Sequence, residues 1–311
     1  MSILSRKIAV PFAGPETGRR HSAAEIDAQS RPARFVSTGL IGECANPGCR
    51  TGWMHLFRRR SVPVIEGGWT CSPQCTEAVI LAAIRRELAG RGAARELGAH
   101  RIPLGLLMLE QGWISGEQLR DAVRAQKAAG TGRVGDWLVA QHATDEATVT
   151  RALGLQWSSP VLPIGSNGPA ILTPLMPRLF LDAFGVLPLR IAADRILYLG
   201  FEQSLDGVLA LALSRMLNIR VENAIVLSSA FRKAHSDMLA AKFPPVQLVE
   251  AISEPAAASL LAHSIERTRP MNARLVRVHD CLWLRMWLSR DFGTVPQTTS
   301  VSDVVCSIGA F

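Results

Sequence analysis

Two stretches of equal length decide the fold of the middle of the chain. Residues 103–126 read PLGLLMLEQGWISGEQLRDAVRAQ, and residues 133–156 read RVGDWLVAQHATDEATVTRALGLQ. Aligned at an offset of 30 residues, these stretches, named copy 1 and copy 2, share four identical positions and five conservative apolar exchanges. The identical pairs are Gly105/Gly135, Gln111/Gln141, Ala122/Ala152 and Gln126/Gln156. Their apolar residues recur at helical spacing, so the pattern predicts two copies of one helix–turn–helix unit.

After the repeat, short apolar runs alternate with helical stretches, which predicts a small α/β sandwich with a three-stranded sheet. The predicted strands are 186–190, 195–200 and 220–227, and the predicted helices are 174–183, 205–217 and 228–241. Further on, residues 255–268 predict a helix and residues 273–288 a strand pair. The Ser/Thr/Val-rich tail from Thr294 is predicted to be peripheral.

Four of the six cysteines lie within 32 residues of each other, before the repeat: Cys44, Cys49, Cys71 and Cys75. Two close pairs joined by a hairpin can supply four thiolates to a tetrahedral Zn²⁺, and Ser72-Pro73 predicts that a helix begins at the second pair. A knuckle, a hairpin and a helix that carries the last two ligands resemble a treble-clef zinc finger. Four thiolates leave no open coordination position, so the predicted zinc is structural. The alternative is that these are ordinary core thiols.

Positive charge is concentrated in the first third of the chain. The 311 residues carry a formal net charge of +8, and residues 1–101 hold 15 Lys/Arg against 8 Asp/Glu. The basic run Arg58–Arg60 favours either a solvated surface or contacts with phosphates, so a zinc-finger nucleic-acid-binding regulator with a fused sensor domain is the alternative function. No window approaches the ~20 apolar residues of a membrane span, and no signal peptide is visible. We therefore expect a bacterial cytoplasmic protein in a reducing compartment.

The doubled motif is similar to one in a known family, the N-terminal domain of type II secretion and type IV pilus assembly ATPases. That domain carries two copies of Arg-Leu-Gly-x-x-Leu, an apolar turn, and Leu-x-x-Ala-Leu-x-x-x-Gln, and in a subset of the family the doubled motif binds cyclic di-GMP. This chain resembles the domain over roughly residues 100–245. The resemblance implies a cyclic di-GMP site made by Arg101, Leu104, Gly105, Gln126, Arg133, Val134, Gly135, Leu138 and Gln156.

Both copies depart from the family's pattern. In copy 1, Pro103 stands at the arginine position, and Arg101 lies two residues earlier. In copy 2, His142 replaces the turn glycine and Thr144 replaces the apolar turn residue. The alternative to a ligand site is a tandem helical module that kept the fold and lost the ligand.

The sequence predicts no ATPase motor and no enzyme. A P-loop needs a lysine followed by Ser or Thr, and none of the four lysines is followed by either. We therefore expect a non-enzymatic adaptor or effector. The resemblance implies that it docks to an inner-membrane platform protein of a secretion or pilus machine, with cyclic di-GMP as its ligand.

The predicted fold class is α+β, built from several segments in sequence. These are a flexible lead (1–37), a treble-clef-like zinc-binding module with a trailing helix (38–98), the tandem helical repeat (100–162), the α/β part (163–250) and a C-terminal extension (251–311).

Overall fold

The computed structural model describes residues 44–50, 63–90, 101–165, 169–192, 195–201, 206–289 and 295–308. The predicted lead and the basic run Arg58–Arg60 lie outside these ranges. Within these ranges, no helix is long and apolar enough to cross a membrane.

The described residues form nine strands, nine α-helices and a 3₁₀ helix. The strands are β1 (Val64–Ile65), β2 (Gly68–Trp69), β3 (Val186–Ala192), β4 (Ile196–Phe201), β5 (Arg220–Ala224), β6 (Val246–Ala251), β7 (Asn272–Val278), β8 (Cys281–Trp287) and β9 (Val301–Ile308). The α-helices are α1 (Pro73–Ala89), α2 (Leu104–Glu110), α3 (Gly116–Ala129), α4 (Val134–Ala140), α5 (Glu146–Trp157), α6 (Arg178–Ala183), α7 (Gly207–Leu217), α8 (Ser228–Leu239) and α9 (Glu254–Thr268), and a 3₁₀ helix covers Pro169–Leu175.

A six-stranded sheet with the order β2-β1-β7-β8-β9-β6 joins segments that are far apart in the sequence. β7, β8 and β9 are antiparallel neighbours, β6 pairs parallel with β9, and β1 pairs parallel with β7 through Ile65 and Ala273. Because side chains alternate along a strand, Leu282 and Leu284 pack in the core with α1 and α9, whereas Trp283 packs in the core on the opposite face. The sheet is therefore covered on both faces.

The prediction of a peripheral tail after Thr294 is wrong. Residues 301–308 form β9, which lies between β8 and β6, and the side chains of Val301 and Cys306 are fully buried. The Ser/Thr-rich composition of the tail did not predict a buried strand, although β9 pairs with β8, the strand that precedes it in the sequence.

A buried ion pair lies at the centre of the six-stranded sheet. Arg285 and Asp303 are cross-strand neighbours, and both side chains are 0% exposed. The Asp303 carboxylate accepts hydrogen bonds from Arg285 Nε, Arg285 Nη2 and Trp283 Nε1, each at 2.8 Å. Arg285 Nη1 donates to the Leu175 carbonyl oxygen at 2.8 Å. These contacts join the sheet to the 3₁₀ helix.

The outer edge of β7 is capped by two carboxylates. Glu66 Oε1 accepts a hydrogen bond from the Leu275 N–H at 2.7 Å, and Glu87 Oε2 accepts one from the Arg277 N–H at 3.3 Å. The Glu87 side chain is 2% exposed and also accepts two hydrogen bonds from the Arg215 guanidinium. The Glu66 and Glu87 side chains thus bind N–H groups of β7 that an additional strand would otherwise bind. The hydrogen bonds between Glu87 and Arg215 also join α1 to α7.

The second sheet has the order β3-β4-β5, with β3 and β4 antiparallel and β4 and β5 parallel. These strands lie at or close to the three predicted runs, so the α+β class and the three-stranded sheet are confirmed. The helix predicted over 174–183 is divided into the end of the 3₁₀ helix and α6, because Pro174 and Pro177 have no N–H to donate. Below, the α/β unit means β3, β4 and β5 with α7 and α8.

The repeat forms two helix–turn–helix units, with α2 and α3 in copy 1 and α4 and α5 in copy 2. The first helix of each copy packs against the second helix of the other copy. The equivalent residues Met108 and Leu138 are fully buried in the shared core, as are Ala122 and Ala152. The two copies are therefore related by an approximate two-fold axis.

The turn between the two helices is the same in both copies but strained in copy 2. Gly112 has φ +71°, and the equivalent His142 has φ +55°. The left-handed conformation is unfavourable for a residue with a side chain. Because His142 stands where the motif has glycine, the backbone of copy 2 is strained at this turn.

Candidate functional site

A cavity of about 660 Å³ lies between copy 2 and the α/β unit. Copy 2 supplies one wall through α4 and α5, and α8 with the ends of β4 and β5 supplies the other. Among the lining residues are three aromatic and four charged side chains: Trp157, Phe201, Phe231, Arg133, Asp136, Glu146 and Arg232.

Part of the predicted ligand-binding set lines this cavity. Leu104, Arg133, Gly135 and Gln156 are among its lining residues. The Arg101 guanidinium lies 3.4 Å from the centre of the Trp157 ring, which is itself a wall of the cavity. The structure therefore brings the arginines of both copies close to one site.

The other predicted residues lie within the repeat. Gly105 and Leu138 are buried in its core, and Val134 packs against that core. A Cβ atom at Gly105 would lie 2.5 Å from Leu119 Cδ1, so this glycine allows α2 to approach α3. Gly135 has the same relation to Val149 in copy 2, at 2.8 Å. Both glycines thus lie in close contact with the neighbouring helix, where a larger residue would force the Leu119 or Val149 side chain to move.

The two repeated glutamines bind backbone in a reciprocal manner. Gln126 Nε2 of copy 1 donates to the Gly132 carbonyl oxygen at 2.8 Å, immediately before copy 2. Gln156 Nε2 of copy 2 donates to the Ile102 carbonyl oxygen at 2.7 Å, immediately before copy 1. Each copy thus positions the entry to the first helix of the other copy, where the predicted arginines lie.

A carboxylate fastens copy 2 to the α/β unit at the cavity. Glu146 accepts hydrogen bonds from the Ser229 N–H at 2.6 Å and from Ser229 Oγ at 2.7 Å. Trp157 meets Phe201 edge to face, with ring centroids 5.5 Å apart. The Glu146–Ser229 hydrogen bonds therefore join α5 to α8, and the Trp157–Phe201 contact joins α5 to the end of β4.

The cavity lining combines aromatic side chains with two arginines and two carboxylates. Aromatic side chains can cover a planar ring, and guanidinium groups bind phosphate or carboxylate oxygens in a bidentate manner. The sequence interpretation missed the residues from the α/β unit, because Phe201, Phe231 and Arg232 carry no motif. Only the three-dimensional packing places them opposite copy 2.

The four clustered cysteines lie together and fit a tetrahedral metal. The Sγ atoms of Cys44, Cys49, Cys71 and Cys75 all lie within 4.8 Å of one another. Cys71 Sγ is 3.5 Å from Cys49 Sγ and 3.6 Å from Cys75 Sγ. Four sulfur ligands at about 2.3 Å from a tetrahedral Zn²⁺ are about 3.8 Å apart. The observed separations are close to this value, so these residues can hold a metal ion.

Hydrogen bonds around the cluster hold its two halves together. The Ala45 N–H donates to the Trp69 carbonyl oxygen at 2.7 Å, which fixes the first cysteine pair to β2. Ser72 caps α1 by accepting from the Cys75 N–H at 3.2 Å, as the sequence predicts, and Asn46 Nδ2 donates to Cys75 Sγ at 3.3 Å. Loop, hairpin and helix follow each other in the expected order.

Two cysteines of the cluster, Cys44 and Cys75, differ in thiol acidity. Burial raises the pKa of Cys44 to about 12. Burial also acts to raise the pKa of Cys75, but hydrogen bonds with Ser72 and Asn46 bring it below the ordinary value of a thiol. Cys75 thus lies where the protein favours a thiolate, which is the form that binds metal.

No protein-family model and no curated protein matches this chain. Among solved structures, the chain is similar to a structure of MshE with cyclic di-GMP, with 25% sequence identity over 44% of this chain and 99% of that one and a TM-score of 0.37. It is also similar to the N-terminal domain of XpsE, with 18% identity over 43% and 92% of the two chains and a TM-score of 0.31. A second crystal form of that domain gives 18% identity over 42% and 89%, with a TM-score of 0.23. Each of these similarities covers less than half of this chain.

Proposed function

We propose that this chain is a non-enzymatic adaptor that binds cyclic di-GMP through its tandem repeat and docks to a platform protein of a secretion or pilus machine. The observation that carries this proposal is the cavity beside copy 2. It is lined by Arg133, Gly135 and Gln156, which the doubled motif implies as ligand-binding residues. Its volume of about 660 Å³ falls within the range of small-molecule sites, about 300–1,000 Å³.

The ligand chemistry matches the lining of the cavity. Cyclic di-GMP has two planar guanines and two phosphates, and Trp157 and Phe201 offer aromatic surfaces for a base. Arg133 and Arg232 are placed to bind phosphate oxygens or the O6/N7 edge of guanine. One half of the ligand would occupy the cavity, and the other half would lie toward Arg101, across the axis that relates the two copies.

Binding at this place would act on the contact between the repeat and the α/β unit. The Glu146–Ser229 hydrogen bonds cross that contact. A ligand held by both sides favours the arrangement in which the walls are correctly spaced and so shifts the population toward it. We propose that this arrangement presents the surface that docks to the platform protein.

Isothermal titration with cyclic di-GMP tests the binding step. We expect a saturable heat at micromolar protein, and at least tenfold weaker binding for Arg133→Ala, since the guanidinium loses its contacts with the ligand. Arg124→Ala is the matched control, because Arg124 is a 78% exposed arginine of α3 outside the cavity lining, and it should bind as the wild type does. Absence of heat from folded wild-type protein would refute the proposal.

Docking is tested separately with the same variants. The purified platform protein should be retained by the immobilised chain more strongly with cyclic di-GMP than without it, and Arg133→Ala should remove this difference. Equal retention in all samples would mean that the ligand does not control docking.

We further propose that the cysteine cluster holds one structural zinc ion. The Sγ separations and the thiolate-favouring surroundings of Cys75 support this assignment. Elemental analysis should find one zinc per chain, and Cys71→Ser should lose it and melt at a lower temperature. Cys281→Ser is the control, since Cys281 lies outside the cluster and should keep the metal. A zinc-free wild-type protein with unchanged melting would contradict the assignment.

A further inference from the structure

A short hairpin, formed by β1 and β2, lies between the two cysteine pairs of the cluster. Each of its strands has two residues, and Cys71 follows two residues after the end of β2. On the other side, the Ala45 N–H donates to the Trp69 carbonyl oxygen at 2.7 Å. A metal ion bound by all four thiolates therefore joins the chain before the hairpin to the chain after it.

The turn of this hairpin closes part of the outer edge of β7. The Glu66 N–H donates to the Ala273 carbonyl oxygen at 2.9 Å, and Glu66 Oε1 accepts from the Leu275 N–H at 2.7 Å. The next outward N–H, that of Arg277, donates instead to Glu87 of α1. Two neighbouring positions of one strand edge are thus capped by carboxylates from two different elements.

The cap from α1 has supports outside the cysteine cluster. Ile80 and Ile84 of α1 are 0% exposed in a core that α1 shares with α9 and the six-stranded sheet. The Arg215 guanidinium of α7 also donates two hydrogen bonds to the Glu87 carboxylate. The position of Glu87 is therefore fixed by the packing of α1 and by its contact with α7.

The cap from the hairpin has fewer supports. Among residues 64–69, all of which the structure describes, only Ile65 belongs to that core, and β1 meets β7 through one residue pair, Ile65 and Ala273. A two-stranded ladder of this length is not stable on its own. Glu66 Oε2 also accepts from Arg86 at 2.9 Å, but the Arg86 side chain is 48% exposed, and such ion pairs contribute little. The cysteine cluster is thus the main anchor of the hairpin.

We infer that the metal at the cysteine cluster controls whether the edge of β7 is closed at Leu275. The inference rests on the zinc assignment proposed above. While the four thiolates hold the ion, the hairpin is fixed and Glu66 covers the Leu275 N–H. Loss of the ion releases the hairpin and opens this N–H to water, whereas the Arg277 N–H stays capped by Glu87. The cluster is therefore a metal-sensitive switch that acts on one position of the sheet edge through local opening.

Amide hydrogen exchange of the full chain, resolved to single residues, tests this switch. After a zinc chelator is added to the zinc-loaded protein, the Leu275 amide should exchange at least about tenfold faster, because a hydrogen bond to a charged group is lost. The Arg277 amide should keep its rate, and the amides of β4 in the other sheet serve as an internal control. Cys71→Ser should show the same pattern without chelator.

Glu66→Ala separates the cap from the metal. This variant keeps all four cysteines, so it should retain one zinc per chain, and yet the Leu275 amide should exchange faster because its acceptor is missing. Glu77→Ala is the matched control, since Glu77 is an exposed carboxylate of α1. It should change neither the zinc content nor the exchange rate of Leu275.

The outcomes separate this inference from the zinc assignment. Elemental analysis that finds no zinc in the wild-type protein would refute the assignment itself before any exchange is measured. If the protein holds zinc but chelation leaves the Leu275 rate unchanged, or accelerates Leu275 and Arg277 equally, the switch is excluded. Equal exchange of Leu275 in Glu66→Ala and in the wild type would also overturn the inference.

Discussion

Replacing Asp303 by leucine is expected to lower the free energy of unfolding by about 3–5 kcal/mol, because it leaves the Arg285 charge without a partner in a dry environment. Both side chains are 0% exposed, so water cannot replace the lost carboxylate. The variant also leaves the Trp283 N–H unpaired, which adds about 1–3 kcal/mol. Domains are stable by only about 5–15 kcal/mol, so the variant should be close to unfolding.

Urea unfolding followed by tryptophan fluorescence measures this loss as a lower transition midpoint. The double variant Arg285→Met with Asp303→Leu should recover most of the stability, since no buried charge remains and only two neutral groups, the Trp283 N–H and the Leu175 carbonyl oxygen, lose their side-chain partners. Glu222→Ala is the surface control: its partner Arg220 is 73% exposed, and such pairs contribute about 0–1 kcal/mol. If Asp303→Leu cost less than about 1 kcal/mol, or if the double variant were no better than the single one, the reasoning would be refuted.

Three further predictions concern the repeat and the edge of β7. His142→Gly should raise the free energy of unfolding by about 1 kcal/mol, since His142 has φ +55°, whereas His142→Ala should not raise it; urea unfolding distinguishes them. Glu87→Gln should lower the free energy of unfolding by about 1.5–3 kcal/mol, because it removes the charge that strengthens the hydrogen bonds from Arg215. An unchanged midpoint of urea unfolding would contradict this prediction. Asp145 caps the N-terminus of α5, and the hydrogen bonds from Thr148 lower the pKa of its carboxyl group. The ionised cap should therefore stabilise the protein at any pH above the ordinary pKa of an aspartate. This stabilisation should be lost as the pH falls through the lowered pKa of Asp145. The melting temperature should therefore fall less between pH 6 and pH 3 in Asp145→Asn than in the wild type.

Local sequence patterns predicted the elements but not how distant elements pair. The runs around β3, β4 and β5 and the repeat could be predicted, because hydrophobic spacing and turn residues act over a few positions. The parallel contact of Ile65 with Ala273 could not, since no local pattern indicates which of several apolar strands will be a neighbour. For β9 the reason is different: the Ser/Thr content of the tail does not indicate a buried strand, although its partner β8 is close in the sequence.

The candidate site could be predicted only on the side of the repeat. The family resemblance implied Arg133 and Gln156 as ligand-binding residues, and both line the cavity, but it did not indicate that Gln156 Nε2 donates to the Ile102 carbonyl oxygen. The opposite wall comes from residues such as Phe231 that look like ordinary core residues in the sequence. The cysteine spacing, in contrast, predicted its cluster fully, because metal geometry restricts the ligand positions.

The pairing of β1 with β7 has a consequence during synthesis of the protein. Ile80, Ile84 and Leu88 of α1 pack in a core whose other side includes β7 and β9. The ribosome synthesises β9 about 200 residues after α1. At about 5–20 residues per second, this apolar helix face waits roughly 10–40 s for its cover. Until then the helix exposes an apolar face that is prone to aggregation, and the six-stranded sheet closes only after β9 has left the ribosome.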